Sequence, residues 1–148
     1  MSLARTLQTA CRLTVAERRA ALAAFAGLAL VRTALAEGGL AVAERRLARV
    51  PRLLPRRCAV SVGRLAILVG AVARRLPRAE CLAQSLVLAR LVAETGAPGV
   101  MVRIGVRPGE NELAAHAWVE VGGAVVNDSD DVATRFPVIE ARAPALPA

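Results

Sequence analysis

Three residues in this 148-residue chain bring together the atoms of nucleophilic catalysis: Cys81, the single histidine His116, and Asp128. Cys81 precedes the periodic apolar run Leu82, Leu86, Leu88, Leu91 and Val92, so it falls in the first turn of a helix. There the positive end of the helix dipole favours a thiolate, the reactive form of a cysteine. The alternative is that Cys81 is a small buried hydrophobe, as most cysteines are. Cys11 and Cys58 lack such a context and read as that kind of residue.

His116 lies in Ala115-His-Ala-Trp-Val-Glu120, whose alternation reads as a strand. Period two puts His116 and Trp118, the only tryptophan, on one face. A lone histidine is often structural; its pairing with a first-turn cysteine is what gives it a general-base reading. Asp128 follows 12 residues later, across the tight turn at Gly122-Gly123, which brings the two positions close on neighbouring strands. Asn127-Asp-Ser-Asp-Asp131 also reads as an ordinary acidic loop, with Asp130 and Asp131 as solvated charges. Gln84, one turn beyond Cys81, is a candidate amide donor, a substrate contact or a solvent-facing residue.

The elements that must hold these residues are legible from periodicity and punctuation. Thr14-Val-Ala-Glu17 is a capping box. The spacing predicts a helix from about Val15 to Ala36, stopped by Gly38-Gly39, then a second piece from Leu40 to Val50. Arg57 to Arg75 reads as a further helix, and the helix opening at Arg78-Ala-Glu-Cys81 runs to Gly96. Strands follow at Val100–Val106, Ala115–Val121 and Ala124–Asn127, with turns at Pro108-Gly109 and Gly122-Gly123. Beyond Pro137 the Ala- and Pro-rich tail reads as a loosely attached end. Helices first and an antiparallel sheet second predict an α+β fold. It is read as one domain, 1–148, with a helical N-terminal region over 1–55 and a catalytic core over 56–140.

Composition bounds the rest. With 55% hydrophobic and 2% aromatic residues, the core is built from small aliphatic side chains. All 20 basic residues are arginine; residues 1–80 hold 15 of them against 4 acids, and residues 81–148 hold 5 against 8. The net +8 therefore belongs to the N-terminal half. Arg pairs at 18–19, 45–46, 56–57 and 74–75 solvate helices or meet an acidic partner. No aromatic platform or zinc spacing accompanies them, so nucleic acid is not expected. Nor is a metal or other cofactor: the acidic loop lacks EF-hand spacing, and Cys81, His116 and Asp128 lack the close-spaced ligand pair of a zinc site. Three widely spaced cysteines fit a reducing compartment. The apolar run Ala20–Val31 is too short for a span and too far from Met1 for a secretory signal. A cytoplasmic location is expected.

Cys81-Leu-x-x-Ser85, Val102-Arg-Ile-Gly-Val106, Ala115-His-Ala-Trp-Val-Glu120 and Val126-Asn-Asp128, in that order, resemble the transglutaminase-like leader peptidases of lasso-peptide biosynthesis. The resemblance covers about residues 56–140, and the short chain is similar to the stand-alone peptidases whose leader-binding domain is a separate protein. It implies a transglutaminase-like, papain-like fold and a Cys-His-Asp triad carried by Cys81, His116 and Asp128. It also implies three partners: a ribosomally made precursor whose leader is removed, a separate leader-binding (RiPP recognition element) protein, and an ATP-dependent lasso cyclase that closes the ring. The alternatives are an acyltransferase using the same triad and a noncatalytic peptide-binding module.

Overall fold

The computed structural model describes residues 13–55, 58–77, 79–109 and 112–147. Cys11, Arg56, Arg57 and Arg78 lie outside the described residues. Helix α1, Val15–Arg49, opens on the expected capping box: Glu17 N–H donates to Thr14 Oγ1 at 3.2 Å and Thr14 N–H to Glu17 Oε2 at 2.7 Å. Gly38 and Gly39 leave helical geometry inside it, so α1 is two helical pieces that meet at a kink at these glycines, where the sequence predicts the break. Glu17 also accepts from Arg64 Nε at 2.6 Å, tying the start of α1 to helix α2, Val62–Ala73.

Helix α2 begins five residues later than the apolar spacing suggested. Ser61 is the reason: its hydroxyl caps Arg64 N–H, fixing the helix start there. Helix α3, Cys81–Glu94, follows. By length and composition α1 could cross a membrane, with mean hydropathy 1.5 over its most apolar window, but Ala20, Ala24, Leu28, Val31 and Ala34 are buried in the core shared by all three helices.

The sheet comprises β1 (Val100–Pro108), β2 (Leu113–Val121), β3 (Ala124–Val125) and β4 (Val138–Arg142), in the order β3-β2-β1-β4, with every pairing antiparallel. Between β3 and β4 lies the short helix α4, Val132–Arg135. The hairpin between β2 and β3 turns on Gly122 and Gly123, whose φ values of 59° and 86° are those of a two-residue primed turn. The expected loose tail is instead β4, hydrogen-bonded along β1 from Val102 to Gly105. Strand β3 is also shorter than expected, because Asn127 leaves the ladder and uses its side chain.

One face of the sheet packs Val100, Val102, Val119 and Val121 against the three helices. On the other face, Trp118 forms a smaller core with Val132 and Phe136. This architecture is the predicted α+β arrangement.

The N-terminal helix is joined to α3 through the backbone hydrogen bonds of a buried ion pair on α3. Arg90 and Glu94, both buried, meet at 2.5 Å. Arg90 donates to the carbonyls of Leu47, Val50, Pro51 and Ala145, while Glu94 accepts from the N–H groups of Leu53 and Leu54. One turn of α3 thereby fixes the end of α1, the connection after it and the C-terminal segment.

Candidate active site

Cys81 is the first residue of α3, half-buried, with a free thiol. Glu80 precedes it as N-cap but makes no side-chain capping bond. The first intrahelical acceptor is used by Gln84 N–H, bonded to Glu80 O at 3.1 Å, so the Cys81 N–H is one of the donors a helix start leaves without a partner inside the helix. The Gln84 amide donates to Ala79 O at 2.7 Å, which holds the segment leading into Cys81.

His116 stands near the middle of β2, its Nε2 at 2.6 Å from Asp128 Oδ2. The aspartate reaches it from the loop after β3, as the 12-residue spacing predicted. No described residue bonds Nδ1, and the Cys81 thiol makes no hydrogen bond to the imidazole or to any other described group.

What joins the helix to the pair is Asn127. Its Oδ1 accepts Val119 N–H at 2.7 Å and its Nδ2 donates to the buried Ser85 Oγ at 3.4 Å. Gly122 N–H donates to Gly99 O at 3.0 Å, placing the short connection from α3 to β1 beside the end of β2. The helix therefore runs in the direction of β2. Counting back from Ser85 to Cys81 covers about 6 Å; counting back from Val119 to His116 covers about 10 Å. Both residues are displaced toward the same end. The helices lie against the Val119 face and His116 projects from the other, but β3 pairs only with Glu120 and Val121. Asn127 and Asp128 sit beside that edge, Asn127 bonded to the helix side and Asp128 to the histidine.

Trp118, which the strand alternation places on the His116 face, and several residues to which the sequence assigned no role surround the pair. Trp118, buried, stacks on His116 with ring centroids 6.3 Å apart and bonds Glu120 Oε1 through its indole N–H at 3.1 Å. Glu120 in turn takes Arg103 Nε at 2.9 Å. The Phe136 ring lies 5.0 Å from the imidazole, with the Arg107 guanidinium 4.9 Å above it. Gly105 faces His116 across the β1–β2 ladder, and it is a glycine for a steric reason. A Cβ there would overlap the Phe136 carbonyl oxygen and stand 2.9 Å from Phe136 Cβ.

Asp128 is the most heavily engaged group. Its Oδ1 accepts from Ser129 N–H at 2.8 Å and from Arg135 Nη2 at 2.8 Å. Partial burial pushes its carboxyl up; the bonds from His116 and Ser129 N–H, the imidazole's charge and the Arg135 bond outweigh that and hold it below the ordinary carboxylate range. Asp131, expected as a solvated charge, is exposed but bonded: Ser129 Oγ donates to it at 2.5 Å and Arg135 Nε at 3.3 Å, lowering its carboxyl too, the serine bond most. Cys58 is half-buried against the helical core.

The class of the chain follows from the sequence comparison. Residues 20–141 match the transglutaminase-like superfamily, and the chain belongs to it. Cysteine-protease or acyltransferase chemistry is what this superfamily suggests. The match includes most of α1, which the motif resemblance over 56–140 did not reach. No curated protein and no solved structure matches the chain.

Proposed function

We propose that this chain is a cysteine peptidase that removes the leader from a ribosomally made lasso-peptide precursor, with Cys81 as nucleophile, His116 as base and Asp128 as the group that orients the imidazole. The observation that carries the reading is the His116 Nε2–Asp128 Oδ2 bond of 2.6 Å, which leaves Nδ1 for the thiol of the helix-opening cysteine.

In this mechanism His116 Nδ1 takes the Cys81 thiol proton as general base. Sulfur attacks the scissile carbonyl, and the oxyanion is met by the Cys81 N–H, a donor of a kind worth about 2.7–4 kcal/mol. The C–N bond breaks, the core peptide leaves as an amine protonated by the imidazolium, and the leader stays as a thioester. Water, deprotonated by His116, then hydrolyses the thioester and restores the thiol. Asp128 fixes the tautomer that makes Nδ1 the acceptor. These steps use no metal or nucleotide.

The motif resemblance supports the lasso-peptide assignment. In the same reading the reaction is cytoplasmic, a separate leader-binding protein presents the precursor to the basic N-terminal half, and an ATP-dependent cyclase consumes the freed core. Product analysis tests the chemistry: precursor incubated with the protein and excess glycine methyl ester yields leader ending in a free carboxylate if the chain is a peptidase. Leader carrying the glycine ester as an amide would instead identify an acyltransferase.

A further inference from the structure

Arg135 and Phe136 are consecutive residues that touch both members of the histidine–aspartate pair. Arg135 Nη2 donates to Asp128 Oδ1 at 2.8 Å and to Ser129 Oγ at 2.7 Å, while its Nε donates to Asp131 Oδ1 at 3.3 Å. The guanidinium thus spans the loop that carries Asp128. It occupies Oδ1 and leaves Oδ2 to His116. Phe136 lies against the imidazole, and its carbonyl fills the space left by the missing side chain of Gly105. The hydrogen bond from Phe136 N–H to Val132 O at 2.8 Å and the start of β4 two residues later hold the two side chains in place.

Resting on the triad reading above, we infer that Arg135 is a positioning residue for catalysis: it clamps Asp128 in the orientation and charge state that the imidazole needs, with Phe136 as the wall that sets the ring plane. The charged and titratable groups facing the pair are Arg135 and Asp131 beside Asp128, and Arg107 from β1 above Phe136. Among these, Arg135 alone contacts the carboxylate, and removing it takes away a hydrogen bond that lowers the Asp128 carboxyl. Asp128 then protonates at higher pH, and the imidazole loses its anionic partner there.

Cys81 reactivity reads this without a peptide substrate. Iodoacetamide alkylation is followed from pH 4 to 9 in a chain carrying Cys11→Ser and Cys58→Ser, with Arg135, Arg135→Gln or Arg135→Lys. For Arg135→Gln the acid limb of the rate moves to higher pH and the neutral-pH rate falls about tenfold, the equivalent of losing one charge-assisted hydrogen bond. Arg135→Lys restores the limb in part, and raising salt shifts the parent toward the glutamine variant, because Arg135 is 43% exposed. In an Asp128→Asn background Arg135→Gln has no further effect on rate. A role confined to stability would lower the melting temperature with an unmoved profile and additive losses, overturning the inference. If the parent alkylates no faster than the urea-unfolded chain at any pH below 7, the triad reading itself fails, a result distinguishable from an unmoved but fast profile.

Discussion

His116 and Asp128 meet through Nε2 and Oδ2 at 2.6 Å, so the imidazole nitrogen left open is Nδ1. Replacing Asp128 by Asn keeps the shape but reverses the proton preference at Nε2. Activity is expected to fall by up to about 10⁴-fold, the cost of the wrong tautomer. Asp130→Asn, in an exposed position, leaves the rate within about twofold, as surface changes usually do. Initial cleavage rates check both, and equal losses at the two positions would contradict the assignment.

The same carboxylate gives a pH signature. Its folded-state pKa lies below the ordinary value, so its contribution to stability is present above the unfolded pKa of about 3.9 and is lost as pH falls through the folded one. Melting temperatures between pH 2 and 6 should therefore fall more steeply for the parent than for Asp128→Asn on the acid side. Parallel curves would show that Asp128 gains nothing from its partners on folding.

Gly105→Ala puts a methyl group into the Phe136 carbonyl, and the clash involves backbone on both sides. The expected loss is about 1–3 kcal/mol in urea unfolding. Cleavage should also suffer, since the displaced residue packs on His116. An unchanged unfolding midpoint would show that the β1–β4 bulge at Ile104/Gly105 absorbs the methyl without strain.

Glu94→Ala leaves Arg90 buried without its anion and is expected to cost about 3–5 kcal/mol. An isolated buried pair can often be replaced by apolar residues without loss. This one cannot: Arg90→Met with Glu94→Leu would strip partners from the carbonyls of Leu47, Val50, Pro51 and Ala145 and from the N–H groups of Leu53 and Leu54. Denaturant titration of the double variant should show it well below the parent; full recovery would contradict the hub.

What the sequence showed was local. The capping box, Cys81 at a helix start and the tight Gly122-Gly123 turn are short-range patterns, and the spacing of His116 and Asp128 across that turn was enough to predict their contact. What it hid was long-range. Arg90 and Glu94, four apart on a helix, look like a solvated pair, and only the arrival of residues 47–54 and 145 reveals them as buried. The strand β4 is five residues beside a proline, with no signal until it pairs with β1. Arg135 and Phe136 carry no motif of their own, and Gly105 lies in one that does not say why it is glycine; their relation to His116 and Asp128 exists only once that pairing has formed. Asn127 ended β3 early because its side chain replaced a ladder bond, a choice that alternation of residue types does not encode.

The most direct test of the account is intact-mass analysis of the protein mixed with precursor peptide, quenched in acid over a time course. A transient adduct on Cys81 with the mass of the leader minus water is expected, followed by free leader and core. A folded Cys81→Ala variant is expected to form no adduct and cleave nothing. Cleavage by that variant at the parent rate would contradict the cysteine mechanism outright.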